Sequence, residues 1–159
     1  MLAGASNSLN ASFISTCSKA EKAALRLIAR AEQTSFGLAV KLERKGFEAA
    51  VVREVIEQLL DRKLLDDERF AELWIRSCLV RKAPSPIWLQ ASLMKRGIDR
   101  DSSLRAIKKV LDYDTEYALL LKYIEKMDVS KNKKQINLKT KLKSEGFSYE
   151  TLERIFNSK

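Results

Sequence analysis

The sequence predicts an all-α protein, composed of three tandem three-helix repeats that form an elongated, curved array. The chain has only two prolines and five glycines in 159 residues, so it lacks the frequent turn signals that strands require. Three of these glycines, Gly46, Gly97 and Gly146, occupy the ninth position of the same ten-residue pattern, which returns at intervals of 51 and 49 residues. A pattern that returns at such intervals indicates a repeat architecture.

In each copy of the pattern, leucines stand eight and four residues before the glycine, and a large apolar residue follows it. Leucines spaced by four lie on one face of a helix. A glycine just after a helix adopts the left-handed conformation that ends it, and the next residue packs back on the nearer leucine. The expected pairs are Leu42 with Phe47, Leu93 with Ile98, and Leu142 with Phe147.

Capping residues predict where the helices begin. The predicted starts are at Ser18, Thr34 and about Glu48 in the first repeat, at Asp66 or Asp67, Ser85-Pro86 and Asp99 in the second, and at Asp114 and Ser148 in the third, with Asp128–Asn132 as a connection. The predicted segments are a flexible N-terminal tail (1–17) and repeats over 18–65, 66–112 and 113–159.

The chain carries 30 basic and 21 acidic side chains, a net charge of +9. Each repeat, with the tail counted in the first, holds ten basic and seven acidic residues. Such an excess favours polyanions, because neutralised phosphates release condensed counterions. The alternative is a solvated surface without a binding role. The even spread of charge predicts an extended binding face rather than a basic arm.

The composition argues against several classes of protein. Histidine is absent and only Cys17 and Cys78 could act as thiolates, so the residues favour neither an enzyme nor a metal or cofactor site. No apolar run approaches the ~18 residues of a membrane span. The first 18 residues are uncharged and lack the features of a signal peptide. We therefore expect a cytoplasmic, non-enzymatic protein without a cofactor and without contact to a membrane.

The central motif runs over Leu65, Asp66, Asp67, Arg69, Phe70 and Ala71 and continues to Trp74 and Arg76. With the glycine stops on either side, it resembles the most recognisable motif of the RecX family, and the resemblance extends from about Ala20 to Leu111. Two segments depart from the family pattern. Ala31-Glu32-Gln33-Thr34 replaces a sequence with histidine, and Ala83-Pro84-Ser85-Pro86 replaces a turn that contains glycine.

The resemblance implies a regulator that binds the filament of the RecA recombinase on single-stranded DNA. It implies inhibition of RecA ATPase activity, strand exchange and filament growth, and hence regulation of homologous recombination, DNA repair and the SOS response. Contact with single-stranded DNA is expected to be indirect or weak, and the protein is expected to be a monomer. The competing hypothesis is a direct nucleic-acid-binding three-helix protein that acts without RecA.

The candidate filament-binding residues are all cationic. They are Arg44, Lys45, Arg69, Arg76, Lys95, Arg96, Arg105, Lys108, Lys109, Lys139, Lys141 and Lys143. Each has a structural alternative: cations in a last helical turn stabilise the helix dipole, and Arg69 and Arg76 could form intramolecular ion pairs. Lys131, Lys133 and Lys134 extend the lysine-rich stretch of the third repeat. Asp66 and Asp67 are expected to cap a helix rather than to catalyse, and Phe70 and Trp74 to fill the core rather than to stack on bases.

Overall fold

The computed structural model describes residues 3–127 and 135–157, which form nine helices and no strand. The bounds are α1 Ala3–Ile28, α2 Ser35–Glu43, α3 Ala49–Asp61, α4 Asp67–Arg81, α5 Pro86–Met94, α6 Arg100–Val110, α7 Tyr113–Lys126, α8 Gln135–Ser144 and α9 Tyr149–Asn157. The all-α prediction is confirmed over these ranges. The predicted connection Asp128–Asn132 and the lysines at 131, 133 and 134 lie outside the described residues.

The three glycine stops have the predicted geometry. Gly46, Gly97 and Gly146 have φ angles of 89°, 87° and 90°, in the left-handed region. In the first repeat the Phe47 amide donates to the Leu42 carbonyl at 3.3 Å, and the Gly46 amide donates to the Glu43 carbonyl at 2.8 Å. The other two stops repeat both hydrogen bonds, which together define the Schellman motif. All three middle helices therefore end by the predicted mechanism.

Most of the helix starts also agree with the capping prediction. Thr34 Oγ1 accepts from the Gly37 amide at 2.9 Å, and Asp99 Oδ1 accepts from the Ser102 amide at 2.9 Å. Ser85 and Ser148 cap α5 and α9 with their hydroxyls, at 3.3 Å in both cases. Each cap satisfies one backbone amide that has no partner within its helix.

Two predicted helix starts are wrong. Ser18 lies inside α1, which begins at Ala3, so most of the segment predicted as a flexible tail is helical. The apolar stripe that contains Ala20 and Ala24 continues backward through Cys17, which packs against the core of α2 and α3. The first helix of the third repeat begins one residue before Asp114, and its cap is Asp112, whose Oδ1 accepts from the Thr115 amide at 2.9 Å.

Residues Met1–Phe70 form the first of two compact units. The buried residues Ala20 and Ala24 of α1 are small, which permits close packing against the branched residues of α3. Ten residues make up its buried core: Ala20, Ala24, Leu38, Leu42, Val51, Val52, Val55, Ile56, Leu59 and Leu65. Leu38 and Leu42, the two leucines of the glycine pattern, are completely buried, so the pattern directs one face of α2 into this core.

Residues Ala71–Lys159 form the second compact unit. Its core combines Leu89 and Leu93 of α5 with Leu120 of α7, Leu142 of α8 and Leu152 of α9. The Ile87 amide donates to the Glu145 carbonyl at 3.1 Å, which ties the start of α5 to the end of α8. The second and third predicted repeats thus share one core, as expected if a unit of about 47 residues buries too little surface to be stable alone. The predicted boundaries between repeats stay predictions.

One helix stop uses a residue other than glycine. Lys63 follows α3 with a φ of 54°, and its amide donates to the Leu60 carbonyl at 2.9 Å. The Leu64 amide then donates to the Leu59 carbonyl at 3.0 Å, so α3 ends in the same Schellman geometry as the middle helices. An L-residue with a side chain is disfavoured in this conformation, which makes Lys63 a strained position.

Candidate polyanion-binding surface

The predicted cations at the ends of α2 and α5 are exposed. Arg44 and Lys95 are the C-terminal caps of these helices, and Lys45 and Arg96 follow them. The structure gives no ion pair for Arg44, Lys45 or Lys95 within residues 3–127 and 135–157. Arg96 differs, because it donates to the Ser92 carbonyl at 2.7 Å and its guanidinium lies 4.4 Å from the ring centroid of Trp74. Three of the four cations can therefore meet an anionic partner without first breaking an ion pair with a described residue.

Arg69 and Arg76, both on α4, have different surroundings. Arg69 Nε forms an ion pair with Glu32 Oε1 at 2.7 Å, and Arg69 also donates to the Lys63 carbonyl at 3.5 Å. The intramolecular alternative is thus realised for Arg69. Arg76 is exposed. The pKa of Asp112 is lowered mainly by the hydrogen bond from Thr115, and the positive charge of Arg76 adds to this effect. Of the two arginines, Arg76 is the better candidate for contact with a partner.

The basic face of α6 is partly used within the protein. Lys109 Nζ forms an ion pair with Glu72 Oε1 at 2.5 Å, and Arg105 donates to the Ser102 hydroxyl at 2.8 Å. Lys108 is exposed and lies beside an apolar cavity of about 440 Å³ that Ile87, Leu104 and other residues line. These contacts leave Lys108 as the least constrained of the three candidates on α6.

The lysines of the third repeat also differ from one another. Lys139 is held by an ion pair with Glu153, and this hydrogen bond raises the pKa of Lys139 and lowers that of Glu153. Its ammonium also lies 5.5 Å from the ring centroid of Tyr149. Lys141 and Lys143 are exposed on α8, in its last turn. Lys139 thus has a structural role, whereas Lys141 and Lys143 remain candidates for contact with a polyanion.

The acidic residues of the central motif cap and anchor helices. Asp66 Oδ1 accepts from the Arg69 amide at 2.9 Å, which places Asp66 at the start of α4 as predicted. Asp67 accepts from both the amide and the hydroxyl of Ser35, the first residue of α2. Leu65 and Ala71 are buried on either side, and Phe70 is half-buried. The motif therefore anchors the first turn of α4 within the first unit, and its carboxylates already have hydrogen-bond partners.

The structure reveals an aromatic pair that the sequence analysis did not identify. Trp74 on α4 and Trp88 on α5 stack with ring centroids 5.9 Å apart and an interplanar angle of 22°. Trp74 packs partly against the core, as predicted, but Trp88 is 42% exposed. The two residues are 14 positions apart on different helices, so no local spacing in the sequence signals their contact.

A groove of about 650 Å³ adjoins Trp88 in the second unit. Its lining includes Lys82, Trp88, Tyr123, Lys126 and Glu145. The hydroxyl of Tyr123 is partly buried and interacts with Glu145, and both factors raise the pKa of Tyr123. Two lysines and one carboxylate that already has a partner give the groove a net positive character.

The described residues offer no cluster of three or more potential metal ligands. Both cysteines are free thiols, at intermediate exposure. Among the same residues, none of the helices combines the length and the apolar character needed to cross a bilayer.

Comparison with known proteins assigns the family. Two family models match, for the first three-helix domain of RecX over residues 20–59 and for the second over residues 66–102. A curated regulatory protein RecX of Treponema pallidum is 34% identical over 115 residues, which cover 72% of this chain and 70% of that protein. A regulatory protein RecX of Chlorobium limicola is 30% identical over 143 residues, which cover 85% of this chain and 88% of that protein.

A solved structure shows the same fold. The crystal structure of RecX from Lactobacillus salivarius superposes with a TM-score of 0.72, at 23% identity, and covers 91% of this chain and 96% of the other. The first matched domain runs from within α1 into α3, and the second runs from just before α4 into α6 and contains most of the central motif. The chain therefore belongs to the RecX family of regulatory proteins.

Proposed function

We propose that this protein is a non-enzymatic regulator that binds the RecA filament on single-stranded DNA and mainly inhibits it. Inhibition would lower RecA ATPase activity, strand exchange and filament growth, and thereby restrain recombination, DNA repair and the SOS response. The observation that carries the proposal is membership in the RecX family, supported by 34% identity over 115 residues with a regulatory protein RecX.

The distribution of exposed cations supports binding along an extended, anionic partner. Arg44 and Lys45 in the first repeat, Lys95 in the second, and Lys141 and Lys143 in the third are exposed. Each contact of this kind is weak alone, because water and salt screen surface charges. Contacts that are linked in one chain gain from effective concentration, so their combined affinity exceeds that of any single site. A filament of repeating protomers offers such linked contacts.

Direct binding to duplex DNA without RecA is the competing function. In many three-helix DNA-binding domains the third helix enters the major groove. Here the third helix of the first repeat, α3, carries Glu54 and Glu57, and Glu48 is its N-terminal cap. Phosphates would repel these carboxylates, which argues against a sequence-specific duplex reader and in favour of the filament.

The test is a titration of the purified full chain into a RecA ATPase assay that depends on single-stranded DNA. The proposal predicts that the steady-state rate falls as the protein is added, and that the effect saturates. A parallel titration into a RecA-independent ATPase controls for nonspecific inhibition. An unchanged RecA rate at saturating protein would contradict the proposal.

A charge-reversal variant then tests the role of the exposed cations. Arg44→Glu, Lys45→Glu and Lys95→Glu in one chain should raise the concentration needed for half-inhibition about tenfold or more, if each contact contributes on the order of 0.5 kcal/mol. The matched control reverses Lys22, Arg53 and Lys122, which are also exposed but were not candidates. Equal effects of both variants would show that net charge, and not these positions, governs inhibition.

A further inference from the structure

The second unit carries a surface that the family assignment and the charge distribution do not explain. Trp88 exposes 42% of its surface, although large aromatic side chains bury most of their area when they serve only the core. It lies nearly parallel to Trp74, at a centroid distance of 5.9 Å. Trp74 packs against the core and covers one side of the exposed indole. The pair therefore presents a flat aromatic surface with the ring of Trp88 open to solvent.

Cations surround this surface. The Arg96 guanidinium lies 4.4 Å from the centroid of Trp74, and the Lys82 ammonium lies 5.9 Å from the centroid of Trp88. Contacts of this kind with an aromatic face position the cation beside it without neutralising its charge. Lys126 lines the same groove as Lys82 and Trp88. The site therefore combines the aromatic face of Trp88 with the positive charges of Lys82 and Lys126.

Equivalent positions in the first repeat lack these features. With the interval of 51 residues that relates Gly46 to Gly97, Ala23 stands in place of Trp74 and Gly37 in place of Trp88. The buried residues Ala20 and Leu38 correspond at the same interval to the buried residues Ala71 and Leu89. A three-helix repeat of this fold thus needs neither tryptophan, so the pair is not required by the scaffold.

We propose that Trp88, together with Lys82 and Lys126, forms a binding site for an unpaired base of single-stranded DNA. The base would stack on the indole of Trp88, and the adjoining phosphates would contact the two lysines. This inference rests on the proposed function, which places the protein on a filament that contains single-stranded DNA. A base in a duplex hides both faces in the helical stack, whereas an unpaired base exposes them, which favours the single strand.

An acidic peptide is the other ligand that aromatic and cationic groups could attract. The carboxylates of such a peptide would pair with the lysines, but they would make no contact that requires a flat aromatic face. The nearly parallel tryptophans provide such a face. Charge and shape together therefore favour a nucleobase with its phosphates, and a peptide becomes an outcome that the experiment can detect.

Intrinsic fluorescence of the full chain tests the site directly, because Trp74 and Trp88 are the only tryptophans of the sequence. The probes are an oligothymidylate of 20 nucleotides, an abasic oligonucleotide with the same number of phosphates, and oligoglutamate, without RecA and at one salt concentration. We expect saturable quenching by oligothymidylate and at least tenfold weaker binding of the abasic strand, which lacks the stacking face. Equal affinity for the abasic strand, or equal quenching by oligoglutamate, would overturn the proposal.

Variants that keep the fold then identify the residues, with a fluorescently labelled oligothymidylate as the reporter. Trp88→Ala should weaken binding about tenfold, and Trp88→Phe, which retains an aromatic face, should restore most of it. Lys82→Ala with Lys126→Ala should reduce the dependence of affinity on salt. Far-ultraviolet circular dichroism verifies the fold of each variant. If Trp88→Ala binds the oligonucleotide with wild-type affinity, the proposed base-binding site is overturned. The proposed function does not depend on this result, because inhibition of RecA is measured in a separate assay.

Discussion

The first and second repeats share their internal framework but differ in their surfaces. Leu38, Leu42 and Gly46 in the first correspond to Leu89, Leu93 and Gly97 in the second, with the same burial and the same helix stop. Ala23 and Gly37 of the first repeat correspond to the stacked Trp74 and Trp88 of the second. The fold therefore requires the buried leucines and the glycine stop, whereas the residues at the tryptophan positions can vary. The second repeat carries the more specialised surface.

The largest expected effect is on the shared framework. Leu42 and Leu93 are both completely buried, and truncation of either to alanine should lower the free energy of unfolding by roughly 2–5 kcal/mol through lost burial and a cavity. Chemical denaturation of Leu42→Ala and of Leu93→Ala measures the two values. A difference of more than about 2 kcal/mol between them would show that the two leucines are not equivalent.

The glycine stops should be sensitive to a larger residue, to different degrees. A Cβ at Gly46 would meet nothing within 4 Å, so Gly46→Ala should cost about 1–2 kcal/mol from the left-handed backbone alone. A Cβ at Gly146 would lie 3.3 Å from the Ile87 amide nitrogen and 3.3 Å from Pro86 Cβ. Gly146→Ala should therefore destabilise the protein more than Gly46→Ala in equilibrium denaturation. The opposite order would contradict the assigned contacts.

The strained stop at Lys63 allows a stabilising substitution. Lys63→Gly should raise the free energy of unfolding by about 0.5–1 kcal/mol, because glycine tolerates the φ of 54°. Thermal and chemical denaturation measure the change, and Lys63→Ala, which removes the long side chain but keeps a Cβ, is the matched control that should bring no such gain. Loss of stability in Lys63→Gly would indicate that the lysine side chain contributes more than its backbone costs.

The smallest expected effect is the loss of stability at acidic pH that involves the cap residue Asp99. The hydrogen bond from Ser102 lowers the pKa of Asp99 below its ordinary value of 3.8, whereas the equivalent helix in the first repeat has no titrating hydrogen-bonded cap. A carboxylate with a depressed pKa stabilises the fold above its unfolded pKa, and this contribution is lost as pH falls through the folded value. Stability should therefore decline below about pH 4, and Asp99→Asn, which caps without titrating, should decline less steeply. Denaturation midpoints between pH 7 and pH 3 test this, and equal slopes would contradict it.

The extent to which sequence predicts this protein depends on whether a feature is local. The stops at Gly46, Gly97 and Gly146 could be predicted because the conformation and its hydrogen bonds involve residues close in sequence. The start of α1 could not, because a capping pattern at Ser18 is also compatible with a helix interior. The sequence predicted the start of α7 at Asp114, whereas the hydrogen bond from the Thr115 amide shows that Asp112 is the cap.

Contacts between residues that are distant in sequence could not be predicted, because no local pattern indicates which side chains meet. The stacking of Trp74 on Trp88 and the ion pair of Lys139 with Glu153 join different helices. The ion pair of Arg69 with Glu32 joins α4 to the loop that precedes α2. The shared core of the second and third repeats also follows from packing. Because a chain shortened to end near Asp112 would expose this core, substitutions in the full chain are the better test of the third repeat.

The central claim is that the protein recognises a recombinase filament rather than DNA as such. The most direct measurement is its affinity, at one salt concentration, for labelled single-stranded DNA coated with RecA, for the same strand without RecA, and for a duplex of the same sequence. The account predicts binding to the filament at least about tenfold tighter than to either naked DNA, because linked contacts with several protomers add to any contact with the strand. Equal affinity for the filament and for naked DNA would contradict it.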